Sequence, residues 1–204
     1  MIKKSYFIKT YNFIQLLSSV LLLTLIFLML FKMIQEYTKS DSSTLPLVQF
    51  QSILFKKLVV SLQWVSIVTS ILLLVLLLVE IIKRLKNDSL LNLGKSYLGT
   101  LRFRRFLKQS QQLPKINSQL DEQFQTENKT VTRFNLAVRK SVLDLTQDQL
   151  TLFIKVPKEA QAQKILKEHE EQIKEHVASF YSDYIISTFE RKKFTLWLIG
   201  TKRN

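Results

Sequence analysis

The sequence predicts an α+β protein in which a two-helix transmembrane hairpin precedes a small cytoplasmic β-β-α-β-β domain with a mostly antiparallel sheet. Two long uncharged stretches near the N-terminus predict the hairpin. Apolar residues that alternate at every second position after residue 129 predict the sheet. A chain of 204 residues, 47% of them hydrophobic, leaves room for little beyond these two parts.

The clearest transmembrane segment is the second, which we place at residues 58–82. Its first part, 58–79, contains no charged residue, no Pro and no Gly. A backbone in lipid must satisfy its own hydrogen bonds, so such a stretch is expected to be helical. At about 1.5 Å per residue, its length matches a hydrocarbon core about 30 Å thick.

Residues 13–31 form the first predicted span, after a lysine-rich tail at residues 1–12. The run is too long for the apolar part of a signal peptide, and no small-residue cleavage pattern follows it. We therefore expect an uncleaved span. Gln15 and Gln63 lie inside the two spans, where they suit hydrogen bonding between helices, and this predicts hairpin packing or self-association of the protein.

The orientation follows from the basic residues that flank the spans. The tail and the polar loop at 32–57 both contain lysines, so the first span alone does not decide it. The excess of cations directly after the second span does, because cytoplasmic flanks carry the positive charge. These cations are Lys83, Arg84, Lys86, Lys95, Arg102, Arg104, Arg105 and Lys108. We expect a multi-pass protein of the cytoplasmic membrane, with both termini cytoplasmic and the loop outside.

Residues 83–112 read as a basic amphipathic juxtamembrane helix, with leucines and aromatics interleaved among the eight cations. The net charge of the chain is +14, and most of the excess lies before Leu113. Such a segment is expected to rest on anionic lipid headgroups. A nucleic-acid-binding arm is the alternative, because aromatics between arginines can stack on bases. The lipid interpretation is favoured, and the same eight residues would make either contact.

A polar linker is predicted at 113–128 and a cytoplasmic α+β domain at 129–204. Phe134, Leu136 and Val138 alternate with more polar residues, which predicts a first strand. A second strand is predicted over 150–156, with Thr146-Gln147-Asp148 as the hairpin turn.

Pro157 is expected to end the second strand and to suit the first turn of a helix over 158–181 with one apolar face. Residues 184–189 and 194–199 are predicted to form a second hairpin that turns at 191–193. One helix covering one face of a four-stranded sheet is the simplest packing of these elements.

No catalytic, cofactor or metal site is predicted. The chain contains no cysteine, which excludes disulfides and thiolate ligands. Gly94-Lys95-Ser96 lacks the preceding glycine of a phosphate loop, since that position is Ser89. His169 and His176 are seven residues apart on one helix, about 10 Å of rise, which is too far to share a metal ion. His169 is expected to be a half-buried packing residue.

The remaining acidic residues also have structural explanations. The glutamates of the predicted helix are interspersed with lysines, which is typical of an ion-paired solvent face. These glutamates are Glu168, Glu170, Glu171 and Glu175. Glu80 ends the second span, where it can reach water or pair with Lys83 or Arg84. We therefore expect a protein that is not an enzyme.

The order of these parts is similar to the N-terminal membrane-anchor region of FtsK/SpoIIIE-type coupling proteins of Gram-positive conjugative elements. The likeness rests on the two spans, the basic segment, Leu113-Pro114-Lys115, the strand ending Phe153-Ile154-Lys155-Val156, and the strand 184–190. In that family the region precedes an ATPase motor that drives DNA through a type IV secretion channel. No motor motif is present in this sequence, so no catalytic residue is transferred.

The resemblance implies a non-enzymatic membrane anchor or accessory subunit that docks a secretion or DNA-transfer motor or channel at the inner membrane face. The alternative is a membrane-tethered nucleic-acid-binding protein that uses the basic juxtamembrane segment. Expected partners are therefore anionic lipid headgroups and a protein, with nucleic acid as the less favoured ligand.

Overall fold

The computed structural model describes residues 4–39, 46–109 and 121–203. Within them it contains two long apolar helices followed by shorter helices and a small antiparallel sheet, which confirms the mixed α+β class. The helices are α1 Tyr6–Lys39, α2 Pro46–Asn87, α3 Leu90–Leu107, α4 Asp121–Val138, α5 Ala160–Glu168 and α6 Glu170–Phe180. The strands are β1 Val142–Leu145, β2 Gln149–Lys155, β3 Tyr184–Ile186, β4 Glu190–Lys192 and β5 Thr195–Lys202.

The chain divides into two compact units, and the divisions fall inside α1 and α2. We call Lys9–Ile82 the helical unit. The sheet unit consists of the N-terminal residues up to Ile8 together with the chain from Lys83 onward. The predicted division differs, because it separated segment 83–112 from a domain that begins at residue 129.

In the helical unit, α1 and α2 are each long and apolar enough to cross a membrane. They contain 34 and 42 residues, or roughly 50 and 60 Å of helix. The predicted spans 13–31 and 58–82 lie inside them. Most of their large apolar side chains point outward, and the rings of Phe31 and Phe55 approach to 5.8 Å between centroids.

The predicted loop 32–57 is helical wherever the structure describes it, because α1 continues to Lys39 and α2 begins at Pro46. Residues 40–45 lie outside the described part of the chain. Pro46 is the first residue of α2, where the missing N–H of proline leaves no helical hydrogen bond unmade. The polar composition predicted a loop over 32–57, but residues 32–39 and 46–57 are helical, so that prediction is wrong for both of these segments.

The sheet unit has the strand order β1-β2-β5-β3, with β4 also paired to β5, and all pairs are antiparallel. Leu152 lies opposite Leu143 on one side and Leu198 on the other, so all three point to the same face. Helices α3 to α6 supply the side chains that complete the core on that face. The core residues contributed by helices are Phe103, Leu107, Phe134, Val138, Ala162, Leu166, Ile173 and Val177.

The predicted first strand is wrong, because residues 134–138 form the last turn of α4. Phe134 and Val138 are buried in the core, whereas Leu136 between them is 51% exposed. Positions i and i+4 face the same way on a helix as well as on a strand, so the pattern was ambiguous. α4 also occupies 121–128 of the predicted linker, and Leu113-Pro114-Lys115 lies outside the described residues.

The hairpin turn at 146–148 is confirmed, although it joins β1 to β2 rather than to residues 134–138. The backbone N–H of Thr146 donates to the Gln149 carbonyl at 2.8 Å. Pro157 follows β2 as predicted, but the next helix begins only at Ala160. The predicted strand 184–189 is divided into β3 and the segment before β4, and both β3 and β4 pair with β5.

The single helix predicted over 158–181 is divided into α5 and α6 at His169. The His169 N–H donates to the carbonyls of Ile165 and Leu166, which closes the last turn of α5. The imidazole Nδ1 also lies 2.8 Å from the Ile165 oxygen. Such local side-chain contacts with the backbone compete with a continuous helix. His169 is half-buried, in agreement with its predicted packing role.

Candidate interaction surface

Helix α3 covers the outer edge of strand β1 with two hydroxyl side chains. The Ser96 Oγ accepts a hydrogen bond from the Leu145 N–H at 2.8 Å, and the Thr100 Oγ1 accepts one from the Leu143 N–H at 3.0 Å. Both residues are fully buried. An edge strand otherwise presents unpaired backbone groups, so these bonds close this edge of the sheet.

Gly99 allows α3 to approach β1 closely. A Cβ at this position would overlap the Tyr181 hydroxyl and the Leu143 side chain. Gly94-Lys95-Ser96 lies within α3, and Ser96 bonds to the sheet edge. This segment therefore belongs to a packed helix rather than to a phosphate loop.

A buried charge cluster joins the end of α2 to β1. Arg84 pairs with both Asp88 and Asp144, and its guanidinium donates to the Leu145 carbonyl at 2.7 Å. Arg84 is 5% exposed and Asp144 is 3% exposed. Arg84 therefore differs from the predicted surface contact, because its charge is needed inside the unit to neutralise two carboxylates.

Asp88 connects this cluster to the β1–β2 turn. Its Oδ1 accepts from the Gln147 N–H at 3.0 Å and from the Asn92 amide at 2.6 Å. Burial opposes the charged form, but the hydrogen bonds from Asn92, Ser89 and Arg84, with the charge of Arg84, hold the pKa of Asp88 below its usual value. The carboxylate thus stays ionised where the ion pair requires it.

The N-terminal residues of the sheet unit pack on the sheet face opposite the core. The Lys4 ammonium lies 4.3 Å from the centroid of the Phe153 ring, and Trp197 meets the same ring edge-on at 5.0 Å. Two residues after Lys4, the Tyr6 ring lies 3.9 Å from the Lys83 ammonium. These cation–π contacts tie the start of the chain to segments that come much later in the sequence.

The outward face of α3 carries leucines next to cations. Leu91 and Leu98 are 76% and 57% exposed, and Lys95 and Arg102 lie beside them at helical spacing. The buried face of the helix is polar or small at Ser96, Gly99 and Thr100. The leucines therefore remain outside, where the amphipathic pattern of the sequence is typical of contact with a lipid surface or a partner.

A basic groove lies between α3 and α4, with a volume of about 420 Å³. Three of its cations, Arg104, Arg105 and Lys108, were predicted as contact residues, and Arg139 from the end of α4 joins them. Sequence reasoning missed Arg139, because only the fold brings it to α3. Arg104 is held in place by its Nε, which donates to the Ser141 carbonyl at 2.8 Å.

The other cations of α3 line a second cleft of about 400 Å³, with Lys95 and Arg102 on one side and Tyr181 and Asp183 on the other. Burial raises the pKa of the Tyr181 phenol, although the nearby Arg102 charge opposes the shift. This cleft contains both signs of charge, unlike the α3–α4 groove.

The two histidines pack in separate places. His176 stacks on Phe106 with centroids 3.8 Å apart, and burial lowers its pKa. The Nε2 of His169 lies 2.9 Å from the Gln109 amide nitrogen. Among the described residues, no group of three His, Asp or Glu side chains is placed to hold a metal ion.

The predicted contact residues therefore lie in different environments in the fold. Arg84 is buried, Lys83 packs on Tyr6, and Lys86 is exposed near the end of α2. Arg104, Arg105 and Lys108 line the α3–α4 groove, and Lys95 and Arg102 line the second cleft.

No family model, no curated protein and no solved structure matches this chain.

Proposed function

We propose that the chain is a non-enzymatic integral membrane anchor that holds its sheet unit at the inner face of the cytoplasmic membrane and docks a partner protein there. The observation that carries this proposal is the outward placement of apolar side chains along α1 and α2. Large exposed apolar surfaces are unfavourable in water, and helices of this length and composition suit a bilayer.

Both termini are proposed to lie on the cytoplasmic side. The contact of Lys4 with Phe153 supports a common side, since a folded unit that includes both segments cannot be divided by a bilayer. The cations that follow α2 favour the cytoplasmic side over the exterior.

The outward face of α3 is proposed to meet the partner or the lipid headgroups. Leu91 and Leu98 are exposed rather than part of the core, and the adjacent cations suit an acidic surface. The resemblance to the anchor region of conjugative coupling proteins suggests a partner of the type IV secretion or DNA-transfer class, either a motor or a channel.

Topology is tested by single-cysteine labelling, for which the cysteine-free chain is already suited. Ser42→Cys probes the segment between the spans, and Ala178→Cys probes an exposed position on α6. A membrane-impermeant maleimide should label Ser42→Cys in intact cells and Ala178→Cys only after permeabilisation. Labelling of Ala178→Cys in intact cells, or recovery of the protein in the soluble fraction, would contradict the proposal.

Partner docking is tested by crosslinking the full chain in membranes that contain the candidate motor or channel. The unmodified chain should crosslink to it, and Leu91→Asp with Leu98→Asp should reduce the yield severalfold. Ala178→Asp with Ser179→Asp, at exposed positions of α6, is the matched control and should leave the yield unchanged. Equal yields from all three chains would remove the α3 face as the docking surface.

A membrane-tethered nucleic-acid-binding protein is the second candidate. It is favoured by the convergence of Arg104, Arg105, Lys108 and Arg139 on one groove. Binding of this kind should weaken steeply with salt, because it releases counterions from the phosphates. Absence of a gel shift with the detergent-purified chain at low salt would exclude it.

A further inference from the structure

We propose that the α3–α4 groove binds the phosphate headgroup of one anionic phospholipid. The inference rests on the proposed function, because the bilayer around α1 and α2 would supply the lipid. It assigns a defined site with a single ligand, which is more specific than a general attraction of the basic segment to a charged surface.

The charges of the groove favour a phosphate. Arg104 and Arg105 come from α3, Arg139 lies just beyond α4, and Lys108 lies just beyond α3. No acidic residue is among the side chains that line the groove in the described part of the chain. Cations gathered in this way repel one another, and an anion between them relieves that repulsion. Guanidinium groups also match phosphate oxygens through paired hydrogen bonds.

The position of Arg104 indicates that the groove is built rather than formed by free surface side chains. Its Nε donates to the Ser141 carbonyl, so the fold fixes the orientation of this lining side chain. Fixing a cation before the ligand arrives lowers the entropy lost on binding.

The apolar wall favours an amphiphile over a soluble anion. Leu101, Leu136 and Val138 line the groove beside the cations, and Leu136 is half exposed there. A phospholipid presents a phosphate next to apolar carbon, which matches both parts of the lining. Single-stranded nucleic acid would be expected to stack on aromatic rings, and the described lining contains none.

The site is tested with the full chain purified in a neutral detergent and analysed by native mass spectrometry. Added phosphatidylglycerol should be retained as one bound molecule, and phosphatidylcholine should bind about tenfold more weakly, because the basic lining repels its choline cation. Equal retention of the two lipids would overturn the proposal. Because the measurement is made in detergent, its outcome is independent of the topology experiment that tests the proposed function.

The variants test the location. Arg105→Gln, Lys108→Gln and Arg139→Gln together should lower retention of phosphatidylglycerol about tenfold. Lys167→Gln, Lys192→Gln and Lys202→Gln remove the same charge from exposed positions elsewhere and should leave retention unchanged. Fluorescence of the buried Trp197, read in a Trp64→Phe background, checks that each variant is folded. Equal losses in the two triple variants would mean that only net charge matters, which overturns the proposal.

Two further measurements separate the lipid from other sources of phosphate. Leu136→Gln should weaken phosphatidylglycerol retention while leaving any binding of inorganic phosphate unchanged. Displacement of the lipid by inorganic phosphate at equal concentration would instead assign a simple anion site. Displacement by a single-stranded oligonucleotide, lost on adding salt, would assign the groove to nucleic acid, and either result would overturn the lipid proposal.

Discussion

The helical unit and the sheet unit differ in how far their leucine side chains are exposed. Leu152 in the sheet unit has no exposed surface, whereas Leu74 in the helical unit is 56% exposed. In the sheet unit apolar burial holds the fold together, and the buried side chains of Arg84, Ser96 and Thr100 form hydrogen bonds to strand β1. In the helical unit most of the large apolar side chains face outward, on two helices that are long and apolar enough to cross a membrane. Substitutions in the sheet unit, each compared with a matched control, can test this difference through the free energy of unfolding.

The largest effect is expected at the buried charge cluster of the sheet unit. Arg84→Met leaves Asp144 buried without its partner and should lower the free energy of unfolding by about 3–5 kcal/mol. Urea unfolding of the detergent-purified chain measures this through Trp197 fluorescence in a Trp64→Phe background, since the chain has two tryptophans, one in each unit.

Two controls accompany this substitution. Lys86→Met removes an exposed charge nearby and should change little. The triple variant Arg84→Met with Asp88→Asn and Asp144→Leu should recover much of the loss, because no charge of the cluster is then buried alone. A triple variant as unstable as Arg84→Met would show that the cost lies elsewhere than in the unpaired carboxylates.

The leucine pair tests the contrast directly. Leu152→Ala should lower the free energy of unfolding of the sheet unit by about 2–5 kcal/mol, since it opens a cavity in a closed core. Leu74→Ala lies in the other unit and should change the same Trp197 transition by less than about 0.5 kcal/mol. Similar losses from the two substitutions would mean that the units do not unfold separately.

The closed sheet edge comes next in size. Thr100→Val keeps the shape of the side chain but leaves the Leu143 N–H without an acceptor, which should cost about 1–3 kcal/mol. Thr132→Val is the matched control, because that exposed hydroxyl donates to the Asn128 carbonyl of its own helix. A loss at Thr132 as large as that at Thr100 would argue against the edge contact as the cause.

A smaller effect is expected for the N-terminal contact. Lys4→Gln removes the cation over the Phe153 ring and should cost about 0.5–1 kcal/mol in the same unfolding assay. Lys9→Gln removes the same charge from the helical unit and should not move the Trp197 transition. An unchanged free energy of unfolding for Lys4→Gln would argue against the packing of the N-terminal residues on the sheet unit.

The pH dependence of His176 is expected to be the smallest effect. Burial holds the pKa of this imidazole below the ordinary 6.5, so the native state favours the neutral ring. Its contribution is fully present above pH 6.5 and is lost as the pH falls below that value, when the unfolded chain binds the proton more readily. His176→Phe retains a ring against Phe106 and should flatten this part of the profile. An unchanged profile would assign the titration to another group.

The sequence was most informative where one physical requirement dominates. The apolar runs predicted two long helices, and the alternation from Leu150 to Val156 predicted β2, because each pattern allows few other structures. The spacing of Phe134 and Val138 led to the wrong prediction of a strand, since positions i and i+4 face the same way on a helix and on a strand. Only the exposure of Leu136 distinguishes the two structures.

The candidate site was less predictable because it depends on long-range contacts. Local sequence does not show that Ser96 and Thr100 close a sheet edge, or that Arg139 joins the cations of α3. Arg84 looked like any other cation after a span, and only the approach of Asp144 makes it an interior residue. Charge composition therefore indicated a basic region of the chain but not where the fold places each of its side chains.

The packing of Lys4 beside Phe153 has a consequence for how the protein is made. At about 5–20 residues per second, the ribosome would synthesise Phe153 on the order of ten seconds after Lys4. During that interval the N-terminal residues cannot pack on the sheet, because β2 has not been synthesised. The helices α1 and α2 are by then already leaving the ribosome. In the proposed topology, the N-terminal residues therefore stay on the cytoplasmic side until β2 is complete, and their packing beside Phe153 is a late step of folding.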